Sequence, residues 1–139
     1  MQVLDFADIA TEIKSYIFHE LKLTSSQTRL VYYFLQNDNQ ALKMGDLAAG
    51  LNISLSTLSR QLNQAKTATL IEVAKVPGNS AKTIRLNETG WKQALALKKV
   101  LADLQERIFG DWVTQDVTRF SEQLVEISGR LQASDEQNQ

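Results

Sequence analysis

Apolar residues return every third or fourth position at Phe6, Ile9, Ile13, Ile17 and Leu21, the spacing of one face of an α-helix. "LTSSQTRLVYYFLQND" follows at once. Thr24 stands three residues before Gln27, a capping-box pattern that opens a second helix ending in the turn-prone "NDNQ". "LKMGDLAAGLNI" predicts a helix of about two turns, with Leu47, Ala48 and Leu51 inward and a break at Gly50 and Asn52. The next run, "NISLSTLSRQLNQA", is also helical in period, and two short helices joined by a glycine-containing turn make a helix-turn-helix. After Thr69 the period changes. "LIEVAKV" is β-branched and partly alternating, "PGNSAK" is a turn and "TIRL" a second short strand, which together predict a hairpin. Asn87 in "NETG" is an N-cap for a long helix carrying Leu97, Leu101, Leu104, Ile108 and Trp112 and reaching about Phe109. A last helix, capped by Thr114, repeats Val117, Phe120, Leu124, Ile127 and Leu131 in alternating steps of three and four, a narrow seam of the coiled-coil kind. Residues 133–139 have little to bury and are expected to lack structure.

On a helical wheel centred on Leu58, the residues Leu55, Leu58, Gln61, Leu62 and Ala65 form the inward arc. Ser56, Arg60, Asn63 and Thr67 lie opposite, with Thr57 and Ser59 on the shoulders. An ordinary solvated face favours Glu, Lys and Gln, whereas no carboxylate occurs between Asn52 and Glu72. A phosphate backbone repels carboxylates. Short hydroxyls let a helix approach a major groove, Arg60 can fork onto guanine and Asn63 onto adenine. The alternative is a merely soluble helix.

Charge sharpens this picture. The net charge of −1 conceals a basic middle, where Lys43, Arg60, Lys66, Lys75, Lys82 and Arg85 face only Asp46 and Glu72, a local balance of +4. Both flanks are acidic. The composition is that of an ordinary globular domain, with 43% apolar and 22% charged residues. No window approaches 18 consecutive apolar residues, and "MQVLDFADIA" lacks the basic and apolar regions of a signal peptide, so a cytoplasmic location is expected. With no cysteine and a single histidine, His19, neither a thiolate metal site nor imidazole chemistry is easily assembled. No nucleophile elbow or glycine-rich phosphate loop is present. No enzyme activity, metal or cofactor is therefore expected.

Three stretches, "LTSSQTRLVYYFL", "LAAGLNISLSTLSRQLNQAKTATLI" and "AKTIRLNETG", taken in order, resemble the MarR family of winged-helix transcription regulators over nearly the whole chain. Ser56 to Arg60 fall where the family commonly has Ser-Thr-Val-Ser/Thr-Arg. The resemblance implies a mainly α fold with a small β-hairpin wing. A winged helix-turn-helix at 24–90 is flanked by dimerisation helices at 1–23 and 91–132. It implies a homodimer on a pseudo-palindromic operator, most often a repressor, released by a small phenolic-type effector. Recognition residues would be Ser54, Ser56, Thr57, Ser59, Arg60 and Asn63, with Lys75, Asn79, Ser80, Lys82 and Arg85 on the wing and its flank. Ile9, Ile13, Ile17, Val117, Phe120, Leu124 and Ile127 would form the dimer contact, and the two narrow stripes agree independently, since one small domain cannot cover them. Phe109, Trp112 and Phe120 are expected in the helical junction. Tyr32, Tyr33 and His19 are conceivable effector contacts, although packing explains each as well.

Two departures from the family pattern stand out. Thr69 occupies the place of a glycine that often ends the recognition helix. Gly78 and Ser80 stand where a wing-tip acid and arginine are common. A winged-helix module that binds a protein instead of DNA is therefore the rival reading, and salt dependence discriminates the two.

Overall fold

The computed structural model describes residues 2–78 and 81–137, with side chains to Gln132. The described residues form seven helices and three strands in the order α1 (Val3–Leu21), α2 (Ser25–Gln36), β1 (Leu42–Lys43), α3 (Met44–Leu51), α4 (Leu55–Leu62), α5 (Ala65–Ala68), β2 (Ile71–Lys75), β3 (Lys82–Leu86), α6 (Glu88–Phe109) and α7 (Thr114–Gln137). They form two compact units, Met1–Leu101 and Ala102–Gln139. α1 and the first part of α6 thus belong to the same compact unit as the helix-turn-helix and the hairpin.

The caps follow local chemistry. The Thr24 N–H donates to Gln27 Oε1 at 2.9 Å and Gln27 N–H to Thr24 Oγ1 at 3.4 Å, closing the capping box of α2. Asn87 Oδ1 accepts the Gly90 N–H at 2.9 Å as the N-cap of α6. At α7 the sequence expectation needs correction. Val113 O accepts the first helical hydrogen bond, from Val117 N–H at 3.3 Å, so Val113 is the cap residue and Thr114 already lies inside the helix. Thr114 O instead accepts the Thr118 hydroxyl at 3.1 Å. α7 also continues through 133–137, where loss of structure was expected. Ala, Glu and Gln there are good helix formers, and a helix already nucleated upstream extends cheaply through them.

The core of the first unit gathers Leu30, Val31 and Phe34 of α2, Leu47 of α3, Leu58 of α4, Ile84 and Leu86 of β3 and Leu97 of α6, all essentially inaccessible to solvent. The strands form an antiparallel sheet in the order β1-β3-β2. Ile71 faces Leu86 and Lys75 faces Lys82 in the predicted hairpin, while Leu42 faces Ile84 in a two-residue strand that the sequence pattern did not predict. Asn39, at φ 57°, secures that edge. Its Nδ2 donates to Leu86 O at 3.0 Å and its Oδ1 accepts from Leu86 N–H at 2.8 Å.

α3 ends at Asn52, which takes the left-handed conformation at φ 56°, as asparagine tolerates. Gly90 meets a stricter demand, because a Cβ there would penetrate the Leu70 carbonyl oxygen, which also accepts the Asn87 N–H at 3.0 Å. Backbone cannot rotate aside as a side-chain tip can. Gly90→Ala is expected to cost about 3 kcal/mol, read as a melting temperature lower by roughly 10 °C. An unchanged melting curve by circular dichroism would count against this packing.

Candidate nucleic-acid interface

The helical run from Asn52 is interrupted. α4 stops at Leu62, Asn63 caps it at φ −83°, and Gln64 turns extended at ψ 136° before α5 begins. Asn63 competes locally for backbone hydrogen bonds, and the Gln64 N–H closes a tight last turn on Gln61 O at 3.2 Å. This break resets the phase of the wheel. Thr67, placed on the outward face by a continuous helix, is instead 1% exposed, and Ala65, placed inward, is exposed. Leu55 is also outward, at 56% exposure, because it occupies the first turn, before α4 reaches the core. Leu58 and Leu62 are buried as predicted. Thr69 ends α5 without left-handed geometry, at φ −75°. Its hydroxyl donates to Lys66 O at 2.6 Å, which satisfies one terminal carbonyl.

The polar face of α4 opens on a ladder of hydroxyls. Ser54 is the N-cap, its oxygen accepting the Thr57 N–H at 3.1 Å while its O–H donates to Thr57 Oγ1 at 2.9 Å. Ser56 Oγ lies 3.1 Å from Ser54 Oγ and must be the donor, since the one Ser54 proton is already committed. Arg60 Nη2 donates to Thr57 Oγ1 at 3.3 Å. Ser54 is thus saturated inside the chain. Ser56, Ser59 and Arg60 project from an exposed face, and Arg60 keeps four of its five N–H donors free of this ladder. Ser59 and Asn63 border a cleft of about 600 Å³ between α4 and the sheet, floored by Leu62, Ile71 and Ile84 and closed by Met44, Val73 and Lys82. Met44 and Val73 were not predicted here. Val73 is legible in principle, since it alternates in phase with Ile71 and stands opposite Ile84.

On the hairpin, Arg85 is bound by Glu72 directly across the strands, so these two charges neutralise each other. Lys75 stands opposite Lys82, both exposed. Like charges so placed are destabilising without a counter-anion. Gly78 forms the turn at φ 75°, a conformation an aspartate adopts less readily than glycine. Asn79 and Ser80 lie outside the described residues.

A second pocket, of about 390 Å³, lies between α1, α2 and α6 within the first unit. Ile13, Ile17 and Leu101 supply its apolar wall, with Lys14, Arg29, Ser25, Thr28 and Tyr32 as polar groups. Of the three suggested pocket residues, Tyr32 lines it and His19 and Tyr33 do not. The Tyr33 ring instead fills the space left by Gly50. In the second unit Phe109, Trp112 and Phe120 pack on one another with ring centroids 4.9–5.8 Å apart, as expected at the α6–α7 turn. Ile17 is spent in the core of the first unit, whereas Ile9, Leu124 and Ile127 are exposed and Ile13, Val117 and Phe120 half-buried. No described helix is long and apolar enough to cross a membrane.

No family model and no curated protein sequence matches the chain. Solved structures do. Staphylococcus aureus MepR in complex with DNA superimposes with a TM-score of 0.74 at 19% identity, covering 94% of this chain and 99% of that one. NMB1585, a MarR family regulator from Neisseria meningitidis, gives 0.72 at 16% identity over 100% of both chains. AbsC, a MarR family transcriptional regulator from Streptomyces coelicolor, gives 0.71 at 19% identity over 93% and 90%. Helix order, wing and full-length coverage agree: the chain has the winged-helix fold of the MarR family transcription regulators.

Proposed function

We propose that this protein is a cytoplasmic transcription regulator of the MarR family, a homodimer that binds double-stranded DNA at a pseudo-palindromic operator, most simply as a repressor. One observation carries the reading. The exposed face of α4 presents Ser56, Ser59 and Arg60 on a helix that carries no carboxylate, beside a wing whose Lys75 and Lys82 face each other and form no ion pair among the described residues. A phosphate between those two ammonium groups relieves their repulsion. MepR, of the same fold, has been solved on DNA. Dimerisation is supported by apolar rows left open on α1 (Val3, Leu4, Ile9) and α7 (Leu124, Val125, Ile127, Leu131). The α1–α2–α6 pocket suits an effector with an aromatic body and an anionic group, the ring against Ile13 and Tyr32 and the anion toward Lys14 or Arg29. An effector that favours a spacing of the two reading helices mismatched to DNA lowers operator affinity by linkage.

Selection of bound fragments from genomic DNA tests the reading, with an enriched palindrome as the expected outcome. Affinity should fall with salt at a log-log slope of about −5, as for ~6 phosphate contacts per dimer. Lys82→Ala should flatten that slope by about 1 per site, weakening selected and random duplexes alike. Loss on the selected sequence alone would remove Lys82 from the backbone contacts. A protein-binding module is the second reading, favoured by the glycine at the wing turn, and a nearly flat salt dependence would support it.

A further inference from the structure

Among the described residues, the buried polar side chains are Gln27, 3% exposed, and Thr67, 1% exposed. They meet each other. Gln27 Nε2 donates to Thr67 Oγ1 at 3.2 Å, across forty residues of sequence. The other end of the same amide, Oε1, accepts the Thr24 N–H and closes the first turn of α2. One side chain therefore ties the start of α2 to α5. The neighbouring Lys66 of α5 reinforces the tie, its ammonium donating to the carbonyl of Lys22, the left-handed residue that ends α1. α5 in turn follows α4 after a two-residue break at Asn63 and Gln64, so the placement of α5 bears directly on that of α4. Apolar packing alone would leave α5 able to slide, whereas an amide–hydroxyl bond in a buried site is satisfied in only one geometry.

We infer that the Gln27–Thr67 hydrogen bond is the joint through which the α1–α2 corner sets the angle of the reading helix, so that Gln27 and Thr67 are positioning residues for DNA recognition. The inference rests on α4 being the reading helix and deepens that proposal to its regulation. Ser25 and Thr28, on the same first turns of α2 as Gln27, line the 390 Å³ pocket. A ligand seated there displaces the turn that carries the joint, and the displacement reaches α4 through Thr67 without touching α4 itself. Two sites are thereby linked by one element whose position both of them bias, as a coupling free energy requires.

Thr67→Val keeps the shape and removes the hydroxyl, Thr67→Ser keeps the hydroxyl, and Leu97→Val, in the core on α6, serves as a control that loosens the core without touching the joint or the candidate interface. The ratio of affinities for a duplex selected by the wild-type protein and for a random duplex should fall about tenfold in Thr67→Val. It should hold in Thr67→Ser and Leu97→Val. Amide exchange should quicken about tenfold over residues 55–68 in Thr67→Val and stay unchanged at Leu30–Phe34 and Ala94–Leu97. An unchanged affinity ratio, or exchange that quickens equally throughout the first unit, would overturn the inference. Should the wild-type protein select no sequence, the DNA-reading proposal falls while the exchange pattern still decides whether the joint holds α4 and α5.

Discussion

Replacing Leu124 and Ile127 together by aspartate is expected to convert the protein to a monomer and to lower operator affinity by roughly 10²–10⁴-fold, the gain that linking two half-site contacts provides. Both side chains are 41% exposed, and with Leu131 at 64% they continue a row in steps of three and four along α7. Burying one such side chain fully stabilises an assembly by about 1.5–3 kcal/mol. Paired carboxylates in the same place add desolvation and repulsion across a two-fold axis, where each residue meets its own copy or a near neighbour. Because the row is accessible in the single chain, the substitutions should leave helix content unchanged. Light scattering at micromolar concentration reads the oligomer directly. A variant that remains dimeric would move the interface off this row.

Arg60→Ala should cost roughly 1–3 kcal/mol in binding to the selected operator and relax discrimination at one base pair of each half-site. Arg60 lies one helical turn beyond Thr57, whose hydroxyl accepts one of its N–H groups and steadies the guanidinium against the helix. Four donors remain for a base edge or a phosphate. Arg60→Lys, which keeps the charge but loses the planar fork, should recover little of the discrimination. Fluorescence anisotropy against the operator and single-base variants separates the two effects. Undiminished operator affinity in Arg60→Ala would mean that the polar face of α4 has been assigned the wrong role.

Much of this architecture is written locally. The Thr24–Gln27 box, the Asn87 cap and the β-branched run of β2 are legible because each depends on residues within a few positions of one another. The spacing of Leu58 and Leu62 likewise identifies the buried side of α4. What escapes the pattern depends on distant partners. β1 is two residues long and exists only because β3 offers it an edge, so no alternation could announce it. The break after Leu62 carries neither glycine nor proline, and Thr67 turns inward because Gln27 awaits it. A wheel drawn through the break therefore misplaced Thr67 and Ala65. Leu55 shows a different limit, since apolarity alone cannot tell a core residue from one left outward in a first turn. In the candidate site, Arg60, Ser56 and Ser59 are legible from composition, while the capture of Arg85 by Glu72 and of Ser54 by its own cap emerges only from register and rotamer.

With α4 as the proposed reading helix of a proposed dimer, the interruption at Asn63 and Gln64 also limits how much text the protein would read. α4 has eight residues and is about 12 Å long at 1.5 Å per residue, matching about 3–4 base pairs at ~3.4 Å each. At two bits per base pair, one copy holds at most about 8 bits and a pair about 16, whereas one address among 10⁶ genomic positions requires about 20. A regulator with a vocabulary this short is expected to occupy a family of sites, and which of them matter would be settled by copy number and neighbouring sequence as much as by the helix itself.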